Sequence, residues 1–360
     1  MKKNKIKTGE LYGKYSHPHG IKFTKQNINV RKKTLSKILL YFNKKKRKNL
    51  KVLEIGGTGQ AACAWSSLGL NTTFVELSKE NIDKTKQFAK RQKINIKTIN
   101  KSIFQTNLKK NYYDIIRSRG VVHHLEYPEK IFKKVNHGLK INGIFHFNVY
   151  RSGVFFHFFG ELLRNISKNI DINLFLKILD KTKIPLKVQK QLSNPTIKSS
   201  NIFQAQILDD LYVPIYNPGS QTEILKDLKK LNFKIMHKNN IKNELDHNVR
   251  YPDFPEKRQI IEFDAKKIKN CSKKLNLNYK IKKQEIKKIS SLGYAKLTLK
   301  YFKKLEEIIK DKELYNTEIL IKEIIEIYKN CYLLSVKKMA GKQRHFRFQK
   351  ILKKTIKKIQ

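Results

Sequence analysis

The stretch VLEIGGTGQAACAW, Val52 to Trp65, decides how the chain is read. An apolar, strand-like run ends at Glu54 and Ile55, a glycine turn follows, and small residues then open a helix. Backbone N–H groups in such a turn, beside a helix N-terminus, suit an anionic or zwitterionic ligand that approaches where no side chain intrudes. Gly57, Gly59 and Ala62 fit the dinucleotide spacing G-x-G-x-x-G/A. Glu54, however, sits where a pyrophosphate would be repelled and an ammonium group attracted. The turn alone leaves both readings open.

Working outward, the pattern becomes regular from Lys51. KVLEIG, TTFVEL, IKTIN, YYDIIRS and GIFHFNVY read as strands, and AACAWSSLG, SKENIDKTKQFAKRQK and PEKIFKKVNHGLK read as the helices between them. Alternation at this spacing predicts a mostly parallel sheet covered by helices on both faces, a doubly wound α/β fold. Ahead of it, NVRKKTLSKILLYFNKKKRKN places Leu35, Ile38, Leu39 and Phe42 on one helical face. Beyond Tyr150, SQTEILKDLKKLNFKIMHKN returns to helix then strand, with Ser220 as cap and Glu223 in capping-box position. RQIIEFD is a partner strand, and the lysine-rich remainder is helical in pattern. The expected organisation is an N-terminal helix and lid-like segment over 1–50 and a ligand-binding domain over 51–265 with an insert at about 152–218. A basic helical extension then covers 266–360.

The chain of 360 residues carries a formal net charge of +50. Such a field attracts polyanions, but its positive residues are dispersed, mostly lysine, and accompanied by abundant Ile and Asn, a set that AT-rich codons also produce. Cys63, Cys271 and Cys331 have neither metal-ligand spacing nor a disulfide framework, and no metal site is expected. His17 and His19 in YSHPHG lack a carboxylate or cysteine nearby and read as a loop or lid. No run approaches the roughly 20 apolar residues of a membrane helix, and the N-terminus lacks a signal peptide's apolar core. A cytoplasmic protein is expected.

Downstream of the glycine turn, Glu76 closes the second strand, where a carboxylate accepts from both hydroxyls of a ribose. That points to an adenosine-containing cofactor, NAD or S-adenosylmethionine, and the charge of Glu54 favours the sulfonium compound. The segment YYDIIRSRGVVHHLEYPEKIFKKVNHGLKINGIFHFNVYRSG closely resembles the fourth and fifth strands of the class I S-adenosylmethionine-dependent methyltransferases. There an Asp-led strand, a G-V-x-H-H segment, a proline-started helix and a Lys-Pro-Gly-Gly turn, here KING, precede the next strand. The resemblance covers about Lys51 to Arg151. It implies a seven-stranded Rossmann-like sheet and methyl transfer from S-adenosylmethionine.

Carried over by residue, the resemblance implies that Glu54, Gly56, Gly57 and Gly59 line the methionine part and that Glu76 binds the ribose. Leu77 covers the adenine, and Arg119, Gly120 and Val121 lie on the cofactor's open side. Ser102 or Gln105 stands where the family often has an Asp for the adenine amino group, and the glycine loop is one residue shorter than usual. If the acceptor must lose a proton, His123 and His124 are the nearest bases, although the pair equally suits packing of its loop. Tyr150 and Arg151 are expected at the acceptor. The function these readings support is methyl transfer to a small molecule, with a hydroxyl oxygen first among acceptors. An RNA methyltransferase, a non-catalytic basic binding protein and an NAD enzyme are the alternatives.

Overall fold

Runs of β-branched and aromatic residues that are apolar on both faces build a central sheet, because helices cover it on each side. The computed structural model describes residues 23–150, 170–181, 212–238 and 260–271, with isolated positions that include Leu11, Arg164 and Tyr279. The strands are β1 (Lys51–Ile55), β2 (Asn71–Val75), β3 (Lys97–Ile99), β4 (Tyr113–Ser118), β5 (Leu139–Tyr150), β6 (Phe233–Lys238) and β7 (Ile260–Lys267). They form one seven-stranded sheet in the order β3-β2-β1-β4-β5-β7-β6. β7 alone runs against its neighbours, pairing antiparallel with both β5 and β6. The expected α/β sheet is therefore present, with the last two strands forming an antiparallel pair. The expected insert falls largely outside the described residues, as do the lid-like N-terminus, with His17 and His19, and most of the C-terminal extension.

Two cores flank the sheet. On one face Val52, Ile115 and Ile144 pack against α1 (Lys25–Leu39) and α2 (Gln60–Ser67), with Trp65 fully buried among them. On the other, Leu53, Ile116, Phe145, Phe147 and Phe263 meet α4 (Pro128–Gly138) and α6 (Gln221–Lys230). Tyr279 belongs to this second core, buried beside Phe132. α3 (Lys79–Arg91) follows β2, and α5 (Ile172–Lys181) lies in the region after β5.

α1 stops at Leu39, so Phe42 packs from a turn rather than from the expected helical face. Asn43 then caps a separate 3-10 segment over Lys44–Asn49 by accepting from the Lys45 backbone N–H. The expected KING turn is instead part of β5, with Asn142 at φ 66°. Ser220 caps α6 as expected, its hydroxyl accepting from the Glu223 N–H at 3.4 Å.

Gly59 is a structural residue. It stands at φ 78° as the N-cap of α2, and a Cβ there would meet Thr85 Oγ1 on α3 at 1.8 Å. Gly59→Ala is expected to cost about 1–3 kcal/mol from the left-handed backbone alone, with the clash added. Urea denaturation reads the loss, and Thr85→Ala in the same chain should recover the part due to the clash.

Candidate functional site

Parallel strands leave their C-terminal ends and the following turns at one edge of the sheet, and the crevice between diverging turns collects ligands. Here an open cleft of about 660 Å³, solvent included, lies across the ends of β1, β2 and β4. Its lining includes Gly56, Gly57, Glu76, Leu77, Ser102, Gly120, Val121 and His124. The sequence reading named all of these. It missed Asn81 in the first turn of α3, together with Lys101 and Ile103 after β3. The signal available for Asn81 was its place in the first turn of the helix that follows Glu76, where Ser78 opens α3 by accepting the Asn81 N–H at 3.3 Å.

The glycine turn has only four residues, Gly56 to Gly59, between β1 and α2, and all three of its glycines take positive φ. Gly56, at 73°, presses so closely on Val121 that a Cβ would lie 2.5 Å from its Cγ2. Gly57, at 87°, faces open space, which leaves its backbone accessible from the cleft. Glu76 ties this turn to β2. Its carboxylate accepts the Ser78 N–H at 2.7 Å, and the backbones of Leu77 and Gly57 also donate to it. Burial nonetheless outweighs those donors and raises its pKa to about 7.

Adjacent to Glu76, Leu77 is an apolar side chain left half exposed, and Ile103 and Val75 complete a flat apolar wall. Asn100 holds the Leu77 segment in place by donating to the carbonyls of Glu76 and Leu77, each at 3.0 Å. Ser102 lines the cleft, while its hydroxyl accepts the Phe104 N–H at 3.3 Å and caps a short 3-10 turn. Gln105 lies outside the lining.

Glu54 requires correction. Its carboxylate does not line the cleft but turns beneath the glycine turn, paired with the Arg117 guanidinium from β4 and accepting the Trp65 indole N–H at 3.0 Å. Both side chains of the pair are 3% exposed. Register explains the pairing, since Glu54 and Arg117 are direct neighbours across β1 and β4. Arg119 also lies outside the cleft lining, with its nearest carboxylate, Glu262 Oε2, at 3.9 Å.

The two histidines differ. His124 lines the cleft, and its Nδ1 lies 3.0 Å from the Ile215 carbonyl. A carbonyl only accepts, so in the neutral ring Nδ1 carries the proton and Nε2 keeps the lone pair. His123 is fixed the opposite way. Its Nδ1 accepts the Tyr150 backbone N–H at 3.2 Å, which places the ring proton on Nε2. His123 is 1% exposed, stacks on Tyr150 with ring centroids 3.7 Å apart and is not part of the lining. Its place is in the packing of the loop. Tyr150 lies in a small aromatic cluster with Tyr216, over which the Arg164 guanidinium sits at 3.8 Å. Arg151 lies outside the described residues.

Residues 53–147 match the family model described as a methyltransferase domain. No curated protein matches the chain. Similar solved structures include the YcgJ protein of Bacillus subtilis, 13% identical over 69% of this chain and 100% of its own, with a TM-score of 0.41. The magnesium protoporphyrin IX methyltransferase ChlM of Synechocystis PCC 6803 is 11% identical over 71% and 93% of the two chains, with a TM-score of 0.40. PKMT2 of Rickettsia typhi is 19% identical over 74% and 57%, with a TM-score of 0.43.

The cleft fits S-adenosylmethionine. Glu76 offers a buried carboxylate to a ribose, Leu77 and Ile103 an apolar slot to a flat base, and Gly57 an uncluttered backbone to the amino-acid end. If Glu76 holds the ribose diol, the apparent Kd for S-adenosylhomocysteine should rise up to about tenfold between pH 8 and pH 6. A carboxyl with a pKa of about 7 passes from mostly ionised to mostly protonated over that interval and loses acceptor capacity. Calorimetry across that range reads the change; a flat profile in wild type, or the same slope in Glu76→Gln, would remove Glu76 from this role. Among the described residues no helix is long and apolar enough to cross a membrane. The family match over residues 53–147 falls inside this sheet and around the cleft, and identifies this part of the chain as a class I S-adenosylmethionine-dependent methyltransferase domain.

Proposed function

We propose that the enzyme methylates a hydroxyl oxygen of a small-molecule acceptor, with His124 taking the proton. S-adenosylmethionine, when bound, supplies an electrophilic methyl group on a sulfonium. The acceptor must then bring a lone pair in line with that methyl and give up its O–H proton. The observation that carries this reading is the place of His124 in the cleft lining, with its Nδ1 held 3.0 Å from the Ile215 carbonyl, the tautomer in which Nε2 is the basic atom. His123 braces the arrangement. Its carbonyl accepts the Asn217 N–H at 2.6 Å, and the Asn217 side-chain amide donates to the Leu125 carbonyl at 2.8 Å. The segment that holds Ile215 is thereby tied to the loop that holds His124.

The aromatic side chains of Tyr150 and Tyr216, 5.6 Å apart, support an acceptor pocket at the end of β5 that shields the reacting oxygen from water. Incubating the enzyme with methyl-labelled cofactor and a metabolite extract is the test. A labelled small molecule carrying a new methyl ether is expected. Label recovered in added cellular RNA instead, or on a nitrogen or carbon atom of the product, would overturn the reading.

A further inference from the structure

The lysines that lie dispersed along the sequence are sorted by the fold. Parallel strands put their N-terminal ends on one edge of the sheet and the cofactor cleft on the other. The stretches at the N-terminal edge are KKKRKNLK (44–51), KINIK (93–97), KKNYYD (109–114) and KIN (140–142), and β7, running the other way, ends there with KKIK (266–269). They hold fourteen basic residues and one acid, Asp114. Asp114 is itself engaged, by Lys140 Nζ at 2.8 Å and by the Lys51 backbone N–H at 2.8 Å. The stretches that carry the cleft, EIGGTG (54–59), ELSKEN (76–81), NKSIFQ (100–105) and RSRGVVHHLEYPEK (117–130), hold five charged residues of each sign. A codon bias would load both edges alike, so it does not account for this asymmetry.

The basic edge is stitched together from beneath. Lys267, fully buried, donates to the Asn111 side chain at 2.9 Å and to the carbonyls of Asn136 and Leu139, which ties the end of β7 to the starts of β4 and β5. Most of the other basic residues in these stretches are exposed, and none of them is buried. Three large aliphatic side chains stand among them, Leu40 at 71% exposure, Ile141 at 47% and Ile268 at 45%. Leu40 ends α1 just before the basic 3-10 segment, and the register that pairs Ile144 with Lys266 brings the segments of Ile141 and Ile268 together. The aromatic rings of these stretches are already covered. Tyr113 is buried, and Tyr112 has Lys51 Nζ over its ring at 4.1 Å and Lys109 Nζ at 5.5 Å. Single-stranded nucleic acids are held by stacking on bare rings, which the described residues of this edge do not offer. Exposed aliphatic side chains set among lysines match the boundary between headgroups and acyl chains of an anionic bilayer.

We propose that this edge of the sheet docks on an anionic phospholipid membrane, with the Lys44–Lys48 run against the headgroups and Ile141 and Ile268 seated at the acyl boundary. The cleft, on the opposite edge, then faces away from the lipid and stays open to dissolved acceptors.

Sedimentation of the full chain with lipid vesicles tests the surface. Wild type should bind phosphatidylcholine vesicles that contain about 30% phosphatidylserine at least about tenfold more tightly than phosphatidylcholine alone. That binding should weaken as salt rises from about 0.1 M to about 0.5 M. Lys44→Glu combined with Lys46→Glu and Lys48→Glu should lower the affinity at least about tenfold, and Ile141→Ser combined with Ile268→Ser at least about threefold. Lys33→Glu, Lys79→Glu and Lys130→Glu together remove the same charge from exposed positions on α1, α3 and α4, and should cost less than about threefold, since charges beyond a Debye length of the surface are screened. Circular dichroism checks that each variant is folded, and glutamine at Lys44, Lys46 and Lys48 serves where the charge reversal unfolds the chain. No binding to the anionic vesicles, unchanged binding in the edge or the isoleucine variant, or equal losses in the edge and control variants overturns the proposal. So does an RNA oligonucleotide that strips the protein from the vesicles at equal phosphate concentration, which would make the partner a nucleic acid.

Discussion

His124→Asn is expected to lower kcat by about 10²–10⁴-fold, the usual contribution of a positioned general base, while the affinity for S-adenosylhomocysteine changes little. The separation follows from geometry. His124 borders the cleft beside Val121 and Leu125, whereas the positions proposed for the ribose and base lie at Glu76, Leu77 and Ile103. Single-turnover methylation measured beside calorimetry separates the two effects. His123→Asn provides the contrast, because His123 is buried in its loop and its Nδ1 is occupied by the Tyr150 N–H. It should lower stability, and lower activity only as far as His124 shifts. A His124 variant that retains full kcat across pH 6 to 9 would remove the proton-acceptor role.

The second large effect is on stability. Arg117→Met should cost about 3–5 kcal/mol, since it leaves the Glu54 carboxylate buried without its cation. Burial already raises the pKa of Glu54 above the ordinary carboxyl value, opposed chiefly by Arg117 and then by the Trp65 N–H. With the arginine gone the folded-state pKa should climb further. The folded protein then binds more protons than the unfolded chain, so the variant's deficit should shrink as pH falls toward the unfolded carboxyl value and grow as pH rises. Glu54→Leu combined with Arg117→Met should recover most of the loss, because an apolar pair of similar volume leaves no charge behind. Urea titrations at pH 5 and pH 8 read all three proteins. A deficit in the single variant that does not depend on pH would show that the carboxylate finds another cation.

Strand and helix positions were legible in the sequence because the two periodicities differ and each run ends in glycine, proline or a capping residue. Glu76 and Gly57 were legible as cleft positions for the same reason, since each sits at a fixed offset from a strand end, while Leu77 came from the family resemblance. Glu54 was not. Its partner Arg117 lies 63 residues away, and only strand register reveals that the acid faces a guanidinium rather than a ligand. Gly59 misled in a similar way, as the demand for glycine comes from Thr85 on another helix. The two histidines are adjacent and chemically alike, and what separates them is a carbonyl 91 residues from His124. The antiparallel course of β7 also had no local sign. RQIIEFD reads as a strand in either direction, and its neighbours are set by how the chain returns.

That return bears on how the protein is made. β7 fills the gap between β5 and β6, although among the described residues it is the last strand to be synthesised. A chain still attached to the ribosome therefore carries β5 as an open edge, with Phe145, Phe147 and Val149 awaiting cover, until Ile261, Phe263 and Ala265 have emerged. Unpaired apolar edges of this kind recruit other chains. The interval between the translation of Tyr150 and that of Lys267 is thus the period in which a nascent copy is most exposed to aggregation and to capture by chaperones.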